Sequence, residues 1–248
     1  MTSREFFAQY RAAAWPTTDD VDQFVASAGE LTTDDILKLL DLTTTRLGLP
    51  EQHRQRCFAF YRLAERVSDK SLFSPYVKAL RAADPTLRAL LIRLIPKVNS
   101  ALDHPALVAL LQSSDAQVRK EVAQILPTIG GRKVFELLGE MVGEPSFPGR
   151  LEAMEVVVAI VPHHAVPLLQ TVLAVGNEVE KVRAIAYLTE PRCTARDPGA
   201  ALAAIAGALG DGQESVVVSA IAGISALASE DDYLTQVGPY LESANLAL

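Results

Sequence analysis

Aromatic residues are scarce in this chain. Phe, Trp and Tyr together make 6% of 248 residues, with one tryptophan, while the hydrophobic share is 49%. The core is therefore expected to be packed from Ala, Leu, Val and Ile helices. A surplus of positive charge is also missing. The net charge is −7, which argues against non-specific DNA binding by the whole surface. No apolar run is long enough to span a membrane. The most apolar stretch, Val156–Val175, is broken by Pro162-His163-His164-Ala165-Val166-Pro167, so it reads as two core helices and a turn. Phe6-Phe7-Ala8-Gln9-Tyr10-Arg11 is interrupted too soon for a signal peptide.

Residues that carry chemistry are few and dispersed. His163 and His164 are adjacent, and on a helix they would point about 100° apart. His53 and His104 are single, so no metal-ligand spacing is evident. Gly130-Gly131 ends a helix as a C-cap would and is no phosphate loop. No spacing ties Ser, His and Asp into a triad. The expectation is no catalytic constellation, no metal and no cofactor.

What the chain does contain is a sentence written twice. Asp84-Pro85-Thr86-Leu87-Arg88-Ala89-Leu90-Leu91-Ile92-Arg93-Leu94-Ile95-Pro96-Lys97-Val98 recurs, 31 residues on, as Asp115 to Ile129. In both copies an Asp stands where a helix N-cap accepts the free N–H groups of the first turn. Leu87, Leu91, Leu94, Ile95 and Val98 form one stripe of a 3.6-residue period. Val118, Val122, Ile125, Leu126 and Ile129 repeat it. Another apolar helix precedes each copy, over Ser71–Arg81 and Pro105–Gln112. The unit is thus two antiparallel helices, and a period of this size made of helices marks a repeat array.

The register extends both ways. Phe60, Leu63, Ala64 and Val67 match the stripe upstream, and Ala153, Val156, Val157 and Ile160 match it downstream. The turn Gly143–Gly149 lacks the Asp. Further on, Val182-Arg183 restores the aliphatic-Arg pair, 33 residues after Arg150. Residues 1–30 read as N-terminal capping helices, with Thr17 and Asp20 in capping-box spacing and Trp15 packed over the open end of the array. Residues 31–248 read as one continuous array of about six helix pairs, closed by a terminal helix, Asp232–Leu241. Ala244–Leu248 is not the polar cap that usually ends an array, which fits a domain of something longer. Cys57 and Cys193 stand 136 residues apart. In a linear stack they cannot reach the Cα separation of about 7 Å that a disulfide needs, so reduced thiols and a cytoplasmic setting are expected.

Asp, then aliphatic-Arg-x-x-aliphatic, on the second helix of a two-helix unit resembles the HEAT repeat, in the short bacterial form also found in bilin-lyase-like proteins. The resemblance covers about residues 33–228 and is strongest over 71–130. It implies an all-α fold, a right-handed α-solenoid of stacked helix pairs. It also implies a polar ladder in which the turn Asp and the helix Arg link neighbouring repeats, with Asp84, Arg88, Asp115, Arg119, Arg150 and Arg183 at the matching positions. That family is mostly scaffolds, so a protein-protein interaction role is implied. The alternative is an enzyme or enzyme subunit on similar repeats, a bilin lyase or an alkylated-base DNA glycosylase.

Charge is segregated along the chain. Residues 51–100 carry ten basic and four acidic side chains, net +6, whereas residues 151–248 carry net −8. Within the positive block, Arg62 pairs with Arg93 and Arg66 with Lys97 in the 31-residue register, all off the core stripe. In HEAT-like stacks second helices line the concave face. Arg62, Arg66, Arg93 and Lys97, extended by Gln124, are therefore the candidate partner-binding residues, suited to an acidic or phosphorylated protein segment. Membrane insertion is excluded and nucleic acid disfavoured on charge.

Overall fold

Capping residues and apolar stripes decide where helices begin and which side they bury. The computed structural model of the chain describes residues 2–45, 48–229, 233–235 and 237–240, and these residues contain helices and turns but no strand. The expected terminal helix, Asp232–Leu241, and the tail Ala244–Leu248 fall partly or wholly outside them.

The chain divides into two compact units. One comprises residues 1–110 with 120–129, the other residues 111–119 with 130–248. The helices of the first are α1 (Ser3–Ala12), α2 (Thr18–Ser27), α3 (Thr33–Thr44), α4 (Pro50–Ala64), α5 (Phe73–Ala82), α6 (Pro85–Leu94), α7 (His104–Val108) and most of α8 (Ala116–Ile129). In this unit α3 packs on α5 and α5 on α7, while α4 packs on α6, giving two layers of alternating helices. The caps form as the residue types demand. Thr17 and Asp20, and Thr32 and Asp35, close reciprocal capping boxes on α2 and α3. Asp84 accepts from the backbone N–H groups of Thr86 and Leu87 with Pro85 in the first helical position. The ten stripe residues of the two matched stretches are all buried. Pro96 ends α6 early, in a 3-10 turn over Ile95–Val98, because proline lacks the N–H the next α turn needs. Pro127 lies in the last turn of α8, and that helix runs through it.

The N-terminal helices seal one flank of this unit with a cluster of aromatic rings. Phe6 stacks on Phe24 at 5.0 Å, and Trp15 lies 4.6 Å from Phe24 and 6.1 Å from Tyr10. Trp15 is buried, in keeping with a packing role. The Tyr10 hydroxyl donates to the Arg56 carbonyl at 3.0 Å and lies 2.5 Å from the Thr43 hydroxyl. Arg56 is buried, and its Nη1 donates to the Arg11 carbonyl at the end of α1.

The second unit holds α9 (Arg132–Val142), α10 (Arg150–Ile160), α11 (Val166–Val175), α12 (Glu178–Leu188), the short α13 (Pro191–Thr194), α14 (Pro198–Gly207) and α15 (Glu214–Leu227). Here α9, α11 and α14 form one layer and α10, α12 and α15 the other. The turn that lacks the acid is built differently. Phe147 is buried within it, and Gly149, at the N-cap of α10, lies so close to the Leu111 carbonyl oxygen that a Cβ would come within 2.3 Å.

Candidate functional site

Second helices present two kinds of charged residue, and the stripe decides which is which. Residues at the stripe's edge reach a neighbouring repeat; residues opposite it face solvent.

The first kind forms a ladder of ion pairs. In the first unit, Arg88 Nε on α6 lies 3.1 Å from Glu121 Oε2 on α8, with both side chains nearly buried. In the second unit, Arg119 Nε donates to Glu152 Oε1 at 3.2 Å, and its Nη1 donates to the Ser113 carbonyl at 2.9 Å. Arg150 is the most enclosed of these. Its Nη1 donates to Glu180 Oε2 at 2.5 Å, its Nε to the Val142 carbonyl at 2.9 Å, and its Nη2 to the Glu144 carbonyl. Lys181 Nζ meets Asp211 Oδ2 at 2.6 Å. Burying charge is costly unless each ion is paired, and each of these ions lies within ion-pair distance of a counter-charge.

The ladder adds its glutamates to the expected residues and corrects one expectation. Glu121, Glu152 and Glu180 pair with Arg88, Arg119 and Arg150, and Asp84 and Asp115 cap their helices. Arg183 is exposed, and Lys181, 31 residues after Arg150, takes the rung. The register holds where the sequence reading shifted it by two residues to follow the arginine.

Asp84 has a second role. Its Oδ1 caps α6, while its Oδ2 contacts Nε2 of His53 on α4. Burial pushes this carboxyl up. The His53 hydrogen bond, the backbone N–H groups of Leu87 and Thr86 and the His53 charge outweigh burial and hold it below the usual aspartate range. Cys57 Sγ lies 3.4 Å from the same His53 nitrogen. The sequence alone does not bring these three residues together. The available signal was the four-residue spacing of His53 and Cys57, which puts both on one face of a helix.

The second kind is the exposed cation face of the first unit. Arg62 and Arg66 on and just after α4, Arg93 on α6, Lys97 in the following turn and Gln124 on α8 are all exposed. Arg62 Nη2 lies 3.4 Å from Asp22 Oδ1, and its guanidinium sits 5.8 Å from the Phe58 ring. Arg66 Nη1 donates to the Ala28 carbonyl at 3.5 Å. Lys97 pairs with Glu65 and lies 5.8 Å from the Tyr61 ring, whose hydroxyl donates to Glu65 at 2.7 Å. Hydrogen bonds from Lys97 and Tyr61 hold the Glu65 carboxyl below its usual range. Arg93 has no ion-pair partner among the described residues. Two of the four cations thus carry a carboxylate of their own, which a count of charges by block could not show.

Residues 74–159, from α5 through α10, match the family model for HEAT repeats. That segment carries HEAT repeats. The matched segment contains Arg88–Glu121 and Arg119–Glu152 entire, together with Arg93, Lys97 and Gln124. Equivalent rungs lie outside it, at His53–Asp84 before the match in part and at Lys181–Asp211 after it. The match is to the repeat itself and carries no bilin-lyase likeness. No curated protein matches the chain. Among the described residues no helix is long and apolar enough to cross a membrane.

Proposed function

We propose that this chain is a non-catalytic scaffold that holds an acidic or phosphorylated segment of a protein partner on the exposed face of α4, α6 and α8. HEAT repeats commonly mediate protein interactions. The observation that carries the finer reading is Arg93. It is exposed and without an ion-pair partner among the described residues, within a block of net charge +6. Arginine forks suit carboxylates and phosphates.

Arg62 and Lys97 would exchange Asp22 and Glu65 for groups of the partner, while Arg93 offers its charge at no such cost. An exposed ion pair is worth about 0.2–1 kcal/mol, so these cations supply a weak and salt-sensitive grip. The half-buried rings of Phe58 and Tyr61 beside them add apolar area. Cys57 and Cys193 are buried and in no disulfide, consistent with a reducing, cytoplasmic setting.

The test is titration of the chain with a fluorescent glutamate-rich peptide and with its phosphoserine version, at rising salt. Affinity is expected to fall with salt, since exposed charges are screened over about 8 Å at physiological ionic strength. Changing Arg62, Arg66, Arg93 and Lys97 to Glu should abolish binding with the melting midpoint nearly unchanged, and Arg93→Glu should be the most damaging single change. Duplex DNA should bind weakly or not at all. Equal affinity for wild type and the four-fold variant would overturn the reading.

A further inference from the structure

We propose that His53, Cys57 and Asp84 form a buried binding site for one divalent transition-metal ion, zinc by the chemistry of its donors. His53 and Cys57 come from successive turns of α4, and Asp84 is delivered by the N-terminus of α6. One ligand atom of each lies within 4.8 Å of the others, and all three residues are buried.

Direction of approach separates this arrangement from two ordinary ones. In a nucleophilic triad, thiol and carboxylate sit on opposite nitrogens of the imidazole, so that a proton can be relayed. Here Cys57 Sγ and Asp84 Oδ2 both approach Nε2, and Cys57 is sealed from solvent. A plain ladder rung is the other possibility. At the buried rung farther along, Glu121 faces a guanidinium, which supplies several donors and a fixed charge. Beside Asp84 Oδ2 lies an imidazole nitrogen that carries one proton at most, with a thiol next to it. A cation placed among nitrogen, sulfur and oxygen would serve all three at once. Thiolate and carboxylate together would balance its charge of two.

Binding replaces the His53–Asp84 hydrogen bond. The thiol proton and the imidazole Nε2 proton leave to solvent, with Nδ1 keeping its own, so uptake weakens as pH falls. Three protein ligands leave a fourth position to water. His53 Nδ1 has no hydrogen-bond partner among the described residues. Such outer partners are worth about 10–100-fold in metal affinity, which places this site below a four-ligand structural zinc.

The experiment uses the full chain, stripped with a chelator and titrated with Co²⁺ while absorbance is recorded. One equivalent should bind, with thiolate-to-cobalt charge-transfer absorption, and Zn²⁺ should displace it. Cys57→Ser should remove the charge-transfer band, His53→Gln should weaken binding by about 10-fold or more, and Cys193→Ser should leave both intact. A variant at a buried position can lose the fold, so thermal melting of the wild type with and without Zn²⁺ gives a reading free of variants. A raised midpoint is expected, because an ion that binds the native state stabilises it. Absence of the band in the wild type, its survival in Cys57→Ser, or an unchanged midpoint would overturn the site.

Discussion

Arg88 and Arg93 stand on the same helix, one at the edge of its apolar stripe and one opposite it. Arg88 is almost buried and paired with Glu121; Arg93 is exposed and has no ion pair among the described residues. The same contrast separates Arg150, enclosed by Glu180 and two carbonyls, from Arg62 and Lys97, which hold carboxylates in solvent. Residue type is identical or nearly so in these cases, and the difference is the dielectric in which the charge must live. In the interior a charge is tied to one partner and holds neighbouring repeats in register. On the outside it is cheap to keep, cheap to lose and available to another molecule.

The comparison breaks most easily at the interior end. Arg150→Met leaves Glu180 buried without its counter-charge, and removing one partner of such a pair costs about 3–5 kcal/mol. Urea melts should show that loss, and the double variant Arg150→Met/Glu180→Leu should recover much of it. A double variant as weak as the single would mean that packing around the guanidinium, and not charge, is at stake. Leu91 at the centre of the stripe provides an apolar control on the same scale. Leu91→Ala should cost about 2–5 kcal/mol, and a loss as small as that of a surface residue would mean the helical register is misplaced.

Caps lie between the two extremes. Asp115 accepts from the N–H groups of Gln117 and Val118 at the start of α8, and Asp115→Ala should cost about 1 kcal/mol. Ser146→Ala in the next turn should cost less than about 0.5 kcal/mol, since the N-cap of α10 is Gly149 and no side chain caps it. The reverse order in melting experiments would mean that the turn over 143–149 is held by Ser146 and not by Phe147 and Gly149.

A finer test uses acid. The Lys181 hydrogen bond holds Asp211 below its ordinary value, against a smaller upward push from burial, with the Gln213 N–H and the Lys181 charge adding to the lowering. A carboxyl depressed in the native state contributes stability that is fully present above its unfolded pKa, about 3.9, and is lost as pH falls through the lower folded value. Asp211→Asn should therefore destabilise the chain at neutral pH and flatten the stability loss below about pH 4. An acid limb unchanged by the substitution would show that the Lys181–Asp211 rung contributes nothing.

Much of this arrangement was legible in the sequence, and the reason is locality. The stripe residues, the Thr-x-x-Asp boxes and the Asp84 and Asp115 caps depend on spacings within one helix, and each formed as those spacings dictate. The ladder's acids did not follow from the sequence, because a rung joins two repeats at a separation that varies. Arg88 reaches 33 residues ahead to Glu121, Arg150 30 residues ahead to Glu180. Val182-Arg183 has the aliphatic-Arg form and so masks Lys181, although packing keeps the 31-residue period. The convergence of His53 and Cys57 on Asp84 needed the stacking of α4 on α6 to be known. On the exposed face, the carboxylates of Asp22 and Glu65 had been counted as charges but not as neighbours of Arg62 and Lys97.

The central claim is that interior arginines hold the repeats while exposed ones are free for a partner. The most direct test is equilibrium urea unfolding of Arg88→Met beside Arg93→Met, two changes of one type on one helix. Arg88→Met should lose about 3–5 kcal/mol, because the buried Glu121 loses its counter-charge, and Arg93→Met should stay within about 0.5 kcal/mol of wild type. Equal losses from the two variants would contradict the account.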